Sequence, residues 1–187
     1  MSNTWFTSDI HEWHHNIIRY SNRPFSSVEE MRVFIVSNWN THVKEYDHVY
    51  ILGDVGFVPY EKLKEFLLGL NGIKHLIIGN HDNNLVKNRK DLEDNKIFNT
   101  IDYYKELSFD KQKIVLCHYP MRSWNGSNHG SWMLHGHCHG ALPPHGKSVD
   151  VGVDSPYITG KPEYRPFSFA EIRQFMESRD MVQDYAK

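Results

Sequence analysis

The stretch HGHCHG at residues 135–140 sets His137 and His139 two positions apart. In an extended segment successive side chains alternate, so both imidazoles project to one side and Cys138 to the other. Two neutral imidazoles aimed at one point suit a divalent metal. Alone, the tract reads equally as a polar turn, because the chain holds 13 histidines in 187 residues and short histidine runs are only compositional hints. The decision rests on whether other ligands exist. Asp9 and His11 repeat the alternation around Ile10, Asp54 follows Gly53, Asn80, His81 and Asp82 follow Gly79, and His118 stands after an apolar run. Gly53, Gly79 and Gly136 each precede one of these groups, where a glycine lets backbone approach a bound group or turn sharply. For any one of them a plain turn is the simpler reading; their recurrence shifts the balance.

These residues need a scaffold. Apolar runs bounded by Gly, Asp, Asn or Pro predict strands at TWFTS, HVYIL, KHLII, KIVLC, SWMLH and SVDVGV. A helix is expected over SSVEEMRVFIVSNW, with Ser26 and Glu29, or Ser27 and Glu30, at capping-box spacing and Val28, Met31, Ile35 and Trp39 on one face. A second fits PYEKLKEFLLGL, from Pro59 in its first turn to closure at Gly69, Asn71 and Gly72. A third fits SFAEIRQFMESR, with Ser168 and Glu171 as its capping box. Strands alternating with helices imply an α/β domain, and the spacing from about Ile97 to Val153 implies more antiparallel pairing later. Five predicted strands each run into a ligand-capable side chain at the carboxyl end, the edge where α/β sheets place their crevices.

Composition narrows the class. Length fits one domain over residues 1–187, and 40% hydrophobic with 24% charged residues is ordinary for a globular protein. A net charge of −2 argues against an extended nucleic-acid interface or an anionic membrane surface, though not against a small phosphorylated substrate at one local positive site. No signal-like or spanning apolar run is present, so a cytoplasmic location is the default expectation. Cys117 and Cys138 form no C-x-x-C pair, which makes a disulfide framework or thiolate zinc site improbable; both read as small buried hydrophobes.

Taken in order, D-I-H at Asp9 to His11, G-D at Gly53, G-N-H-D at Gly79 to Asp82, His118 after a strand, and G-H-C-H at Gly136 to His139 resemble the calcineurin-like metallophosphoesterase superfamily. The wider stretches FTSDIHEWHHNII and CHYPMRSWNGSNHGSWMLHGHCHG look like its small stand-alone bacterial and phage-type members. The resemblance implies a four-layer αββα sandwich of two mixed sheets, with a dinuclear centre at the strand ends. It assigns Asp9, His11, Asp54 and His139 to one metal and Asp54, Asn80, His118 and His137 to the other, with Asp54 bridging. The sequence departs from the protein Ser/Thr phosphatase branch, since GDVGF has no following arginine and GNHD carries Asp82 instead of glutamate. Phosphoprotein substrates are therefore disfavoured.

Elementary chemistry reaches a similar point. Two carboxylates, one amide and four imidazoles without thiolate suit two divalent ions drawn from Mn, Fe, Co, Ni or Zn. Two such ions, less Asp9, Asp54 and a bridging hydroxide, leave a formal charge of about +1 that attracts phosphate. A metal pair about 3.5–4 Å apart arms water, orients the phosphoryl group and stabilises in-line attack, so no side-chain nucleophile is needed. None is evident: G-x-S-x-G, Walker A and C-x₅-R signatures are all missing. His81 is the expected acid or charge stabiliser, with Asp82 as the partner that orients it; alternatively Asp82 caps a short helix at NNLVKNRK.

Weaker expectations concern the surroundings. His14, Arg122 and Trp124 are substrate-contact candidates, Arg122 as a phosphate clamp and Trp124 as a wall for a planar group. His129 and His135 read as rim or supporting groups, and Asp154 as a hydrogen-bond partner for a ligand histidine, with Asp150 nearby. Function is thus expected to be hydrolysis of a phosphodiester or small nucleotide-like ester. The alternatives are a phosphomonoesterase or nucleotidase, a catalytically silent metal-binding module, or a single-zinc structural protein.

Overall fold

Three consecutive strand–helix units build the first half of the chain, and the hydrophobic periodicity explains why they pack as they do. The computed structural model describes residues 2–181. In chain order the elements are β1 (Thr4–Thr7), α1 (His15–Tyr20), α2 (Val28–His42), β2 (His48–Ile51), α3 (Tyr60–Leu68), β3 (Ile73–Ile77), α4 (Asn83–Lys87), α5 (Arg89–Asp94) and β4 (Thr100–Asp102). There follow β5 (Tyr104–Phe109), β6 (Gln112–Cys117), a 3-10 turn (Ser127–His129), β7 (Trp132–His135), β8 (Ser148–Asp150), β9 (Phe167–Ser168) and α6 (Phe169–Glu177).

The first sheet has the order β4-β3-β2-β1-β9, with β1 to β4 parallel and β9 antiparallel against β1. Thr7 stands opposite Ile51 and Ile51 opposite Leu76, so the carboxyl ends of β1, β2 and β3 are level and the loops after them leave along one edge. The second sheet has the order β5-β6-β7-β8. Its β5–β6 hairpin is antiparallel as expected, but β6, β7 and β8 run parallel, which corrects the expectation of antiparallel pairing through the later half. A parallel step needs a crossover of about a dozen residues. Residues 118–131 and 136–147 supply it without a long helix, so no helical period betrays it in the sequence. A bridge between Ser8 and Gly152 brings the edges of the two sheets together beside Asp9.

Alternating side chains on β1 divide the core: Trp5 faces one way with Ile51, Leu76 and the α2 residues Met31, Ile35 and Trp39, while Phe6 faces the second sheet. Ile114, Leu116, Leu134 and Val149 meet Phe6 between the sheets, and Ile172 and Met176 of α6 close that layer. On the outer face of the second sheet, Val115, Cys117 and Met133 are covered by Trp124 from the crossover loop. The result is a mixed α/β sandwich in which helices cover the first sheet and that loop covers the second. Cys117 is buried as expected, whereas Cys138 is partly exposed.

The helix ends follow from their capping residues. Of the two possible registers for α2, the structure uses the second: Ser27 accepts from the Glu30 N–H at 3.2 Å, and the Glu30 carboxylate accepts from the Ser26 N–H at 2.7 Å. Pro59 sits at the N-cap of α3, and α6 carries the full Ser168–Glu171 capping box. α1, α5, β4, β5 and β9 had no clear signal: α1 buries only Ile17, and β9 is two residues long. Among the described residues no helix is long and apolar enough to cross a membrane.

Candidate metal centre

Five of the side chains singled out above come from residues in the left-handed region: Asp9 (φ 55), His11 (φ 54), Asp54 (φ 54), His137 (φ 71) and His139 (φ 48). Non-glycine residues seldom adopt it, and such conformations persist where surrounding contacts enforce them. The contacts are present. Asp9 N–H donates to Gly53 C=O and His11 N–H to Asp54 C=O, both at 3.0 Å, while Gly136 N–H donates to His118 C=O at 3.0 Å. The extended alternation inferred for His137 and His139 is not found. Both lie in a turn beyond β7, and the left-handed steps send them to opposite ends of the site. Gly136 is where the backbone approaches closest: a Cβ there would lie 1.9 Å from Ser8 Oγ and 2.5 Å from Asp9 Oδ2.

The seven side chains converge. Asp54 Oδ2 is 3.6 Å from His11 Nε2 and 3.6 Å from His118 Nε2; Asp9 Oδ1 is 3.9 Å from His11 Nε2 and 3.9 Å from His139 Nε2. These separations exceed hydrogen-bond length, yet two donors each roughly 2.1 Å from a shared ion can stand up to about 4.2 Å apart. Two sets of donor atoms, from Asp9, His11 and His139 and from Asp9, Asp54 and His118, each lie within 4.8 Å of one another. Asn80 Oδ1 lies 2.9 Å from His118 Nε2 and 3.0 Å from His137 Nδ1, which adds the amide and the last imidazole to the second set. Asp9 is common to both sets, and Asp54 reaches an imidazole of each.

Hydrogen bonding shows what these atoms lack. Asp9 Oδ1 and both ring nitrogens of His11 are buried without a partner among the described residues. Buried polar atoms normally find one, at a loss of about 1–3 kcal/mol each when they do not. His118 Nδ1–H donates to Leu52 C=O at 2.7 Å and His139 Nδ1–H donates to Asp154 Oδ2 at 2.8 Å, tautomers that turn both Nε2 lone pairs inward. Inward lone pairs, facing carboxylates and unpartnered atoms call for cations. The residues fit two divalent ions.

Electrostatics agrees. Burial, then the nearby Asp150 carboxylate, pushes the Asp9 carboxyl well above its usual range, so positive charge is what would keep it ionised. Burial and then the neighbouring His139 depress His11 to about 2, which leaves it a neutral imidazole. Burial likewise lowers His137 and His14. At His139 burial opposes charge, but the hydrogen bond to Asp154 and the Asp9 carboxylate raise it on balance.

The remaining expectations divide. His81 is exposed at the mouth, its N–H donating to Asp54 Oδ1 at 2.9 Å and its ring 5.8 Å from that of His11. Asp82 does not orient it, which corrects that reading. Its buried carboxylate accepts from the N–H groups of Asp54 (3.0 Å), Val55 (2.9 Å) and Gly79 (2.8 Å), so it ties two ligand loops together. Nor does its side chain cap α4. His14 lies against the site, its ring stacked on Phe57 at 4.2 Å and 5.4 Å from His11. Trp124 faces the core: it is 7% exposed, and its Nε1–H donates to Ser131, so it is no wall for a substrate. Arg122 is exposed and lines a groove of about 560 Å³ with Met121, His135 and Leu142, to which none of the seven converging residues contributes. His129 lies exposed in the 3-10 turn, and buried Asp150 accepts from Gly140 and Gly152 N–H. Asp154 does hold a histidine, His139.

Three residues escaped the sequence reading. Phe57 and Tyr119, 41% and 47% exposed, flank the mouth, Phe57 against His14 and His81 and Tyr119 against His118 and His137. Tyr119 directly follows His118, and Phe57 closes the GDVGF stretch three residues after Asp54, a signal that was available. Arg23 is buried beside Asp154, and nothing around it in SNRPF marks it.

A family model described as calcineurin-like phosphoesterase matches residues 2–169. An uncharacterised protein of Methanocaldococcus jannaschii is 34% identical over 97% of this chain and 96% of its own length. The Gene 66 protein of Mycobacterium phage L5 is 26% identical over 83% of this chain and 88% of its own. In structure, a protein of unknown function from Aquifex aeolicus superposes with a TM-score of 0.68 at 24% identity, covering 93% of this chain and 99% of that one.

Proposed function

Because the chain belongs to the calcineurin-like phosphoesterase family and is a metal-dependent phosphoesterase, we propose that it hydrolyses phosphodiesters or small nucleotide-like phosphate esters. Asp9, His11, His139 and Asp54 would hold one divalent ion, and Asp54, Asn80, His118 and His137 the other. The observation that carries this reading is the meeting of unpartnered Asp9 Oδ1 and His11 nitrogens with the inward Nε2 atoms of His118 and His139. When bound, a divalent pair supplies positive charge for the phosphoryl group and makes water nucleophilic near neutral pH. Mn, Fe, Co, Ni and Zn all suit this donor set.

The chain's own residues supply the rest. Asp82 holds the Gly53–Asp54 and Gly79–Asn80 turns in register through three backbone N–H groups, which fixes Asp54 and Asn80, two ligands of the second set, relative to one another. The exposed His81 ring, with its backbone anchored to Asp54, would protonate a departing oxygen or stabilise charge on the phosphoryl group; that anchor at a ligand loop supports the role. His14 and Arg122 stand further out, His14 within reach through the Phe57 stack. Phe57 and Tyr119 favour an ester bearing organic groups, since exposed aromatic rings at a charged mouth bind apolar or planar substituents.

Purified protein loaded with Mn, Ni or Zn should hydrolyse bis(p-nitrophenyl) phosphate faster than p-nitrophenyl phosphate. A preference for the monoester would favour a phosphomonoesterase or nucleotidase. No turnover of either ester at full metal loading would overturn the reading.

A further inference from the structure

We propose that Arg23 and Asp154 are a positioning pair that fixes the His139 tautomer and the Asp9 loop, and so sets the affinity of one of the two metal positions. The inference rests on the metal-centre reading above. Arg23 lies outside every motif, yet all five guanidinium N–H donors have an acceptor. Nε–H and one Nη2–H form a fork on Asp154 Oδ1 and Oδ2, both at 2.8 Å. The second Nη2–H reaches Asp9 C=O at 2.7 Å, and the Nη1 hydrogens reach Ile10 C=O at 2.8 Å and Met31 Sδ at 3.3 Å. The side chains of Arg23 and Asp154 are 0% and 3% exposed.

A buried ion pair is weak evidence for stability, since apolar residues of similar volume often do as well. Its geometry here has a narrower effect. Asp154 Oδ2 accepts from Arg23 and also from His139 Nδ1–H, so the neutral imidazole must present its Nε2 lone pair toward Asp9 Oδ1, 3.9 Å away. The guanidinium also grips the successive carbonyls of Asp9 and Ile10, where Asp9 and His11 take their left-handed conformations. One side chain therefore joins two parts of the same ligand set that lie 128 residues or more apart in the chain, Asp9 with His11 and His139. Asn80, His118 and His137, of the second set, make no hydrogen bond to this pair.

Asp154→Asn keeps the shape but offers one acceptor oxygen where three donors compete; Arg23→Lys keeps the charge but loses the fork. Chelator competition with Mn or Zn should show the metal position that includes His11 and His139 weakened by about 10- to 100-fold in either variant, and the position that includes His118 weakened less. Imidazole nitrogen NMR should show His139 protonated at Nδ1 in the wild-type protein, with that preference lost in Asp154→Asn. Two ions held with wild-type affinity in both variants would overturn the proposal. So would the Nε2–H tautomer of neutral His139 in metal-free wild-type protein, read at a pH above that at which the ring loses its second proton, a measurement that stands even if a variant fails to fold. These readouts need no turnover: inactivity toward every ester with normal affinities would count against the phosphoesterase reading and leave the pair intact.

Discussion

Replacing Asp82 by asparagine separates a structural role from a catalytic one. The carboxylate accepts three backbone N–H bonds, with Oδ2 serving Asp54 and Gly79 and Oδ1 serving Val55. Asparagine keeps one acceptor oxygen. In its better orientation that oxygen faces Asp54 and Gly79 while the amide NH₂ confronts the Val55 N–H, leaving one buried donor unpartnered at about 1–3 kcal/mol. The two surviving bonds also weaken, because hydrogen bonds to a charged acceptor are about twice as strong as neutral ones. Burial raises the Asp82 carboxyl, so removing its charge returns part of the loss. The net expectation is about 2 kcal/mol, a fall of roughly 4–8 °C in Tm for a chain of this size. Thermal and urea unfolding of the metal-free protein in chelator tests it, with His81→Ala as the control that should unfold like wild type. Wild-type stability of Asp82→Asn combined with a displaced pH–rate profile would refute the argument and restore Asp82 as the group that orients His81.

Three further outcomes are expected. His81→Ala should keep both ions and its Tm while kcat falls by about 10² or more, measured by metal analysis and steady-state kinetics; an unchanged kcat would remove His81 from the chemistry. Gly136→Ala should drive a methyl into Ser8 Oγ and Asp9 Oδ2 and disturb the Asp9 acceptor of the His137 N–H, with an overpacking penalty of about 1–3 kcal/mol and lost metal at the Asp9 set; wild-type Tm and two tightly held ions would contradict this. Lys74 is 9% exposed and burial lowers it to about 8, whereas the unfolded chain titrates near 10.5. Unfolding therefore takes up a proton between those pH values, and wild-type stability should rise across that window by about 3 kcal/mol at most. Lys74→Met should remove that rise, so the stability difference between the two proteins should shift toward wild type between pH 7 and pH 10 in urea titrations; a constant difference would show that Lys74 carries no such burden.

Much of the molecule was legible in one dimension because its signals are local. Six strands were marked by short apolar runs, α2, α3 and α6 by helical spacing and capping residues, and seven converging side chains by their placement after strands and glycines. Chemistry was readable too, since carboxylate, amide and imidazole without thiolate limit both the metals and the reactions. What the one-dimensional reading missed depends on distant partners. Whether β6, β7 and β8 run parallel is settled by crossovers that carry no helical period. Whether His137 and His139 share a face is settled by left-handed turns, not strand alternation. Asp82 looked like a partner for its neighbour His81, yet its acceptors serve Val55 and Asp54, 27 and 28 residues earlier in one loop, as well as Gly79. Trp124 looked like a pocket wall and became the cover of a sheet. Arg23 had no motif at all, because a buried guanidinium takes its meaning only from five acceptors that the chain brings to it from elsewhere. Residue type and spacing determined which groups were available for chemistry; tertiary structure decided which atoms were left without partners, and that is a property of three-dimensional hydrogen-bond satisfaction, not of order along the chain.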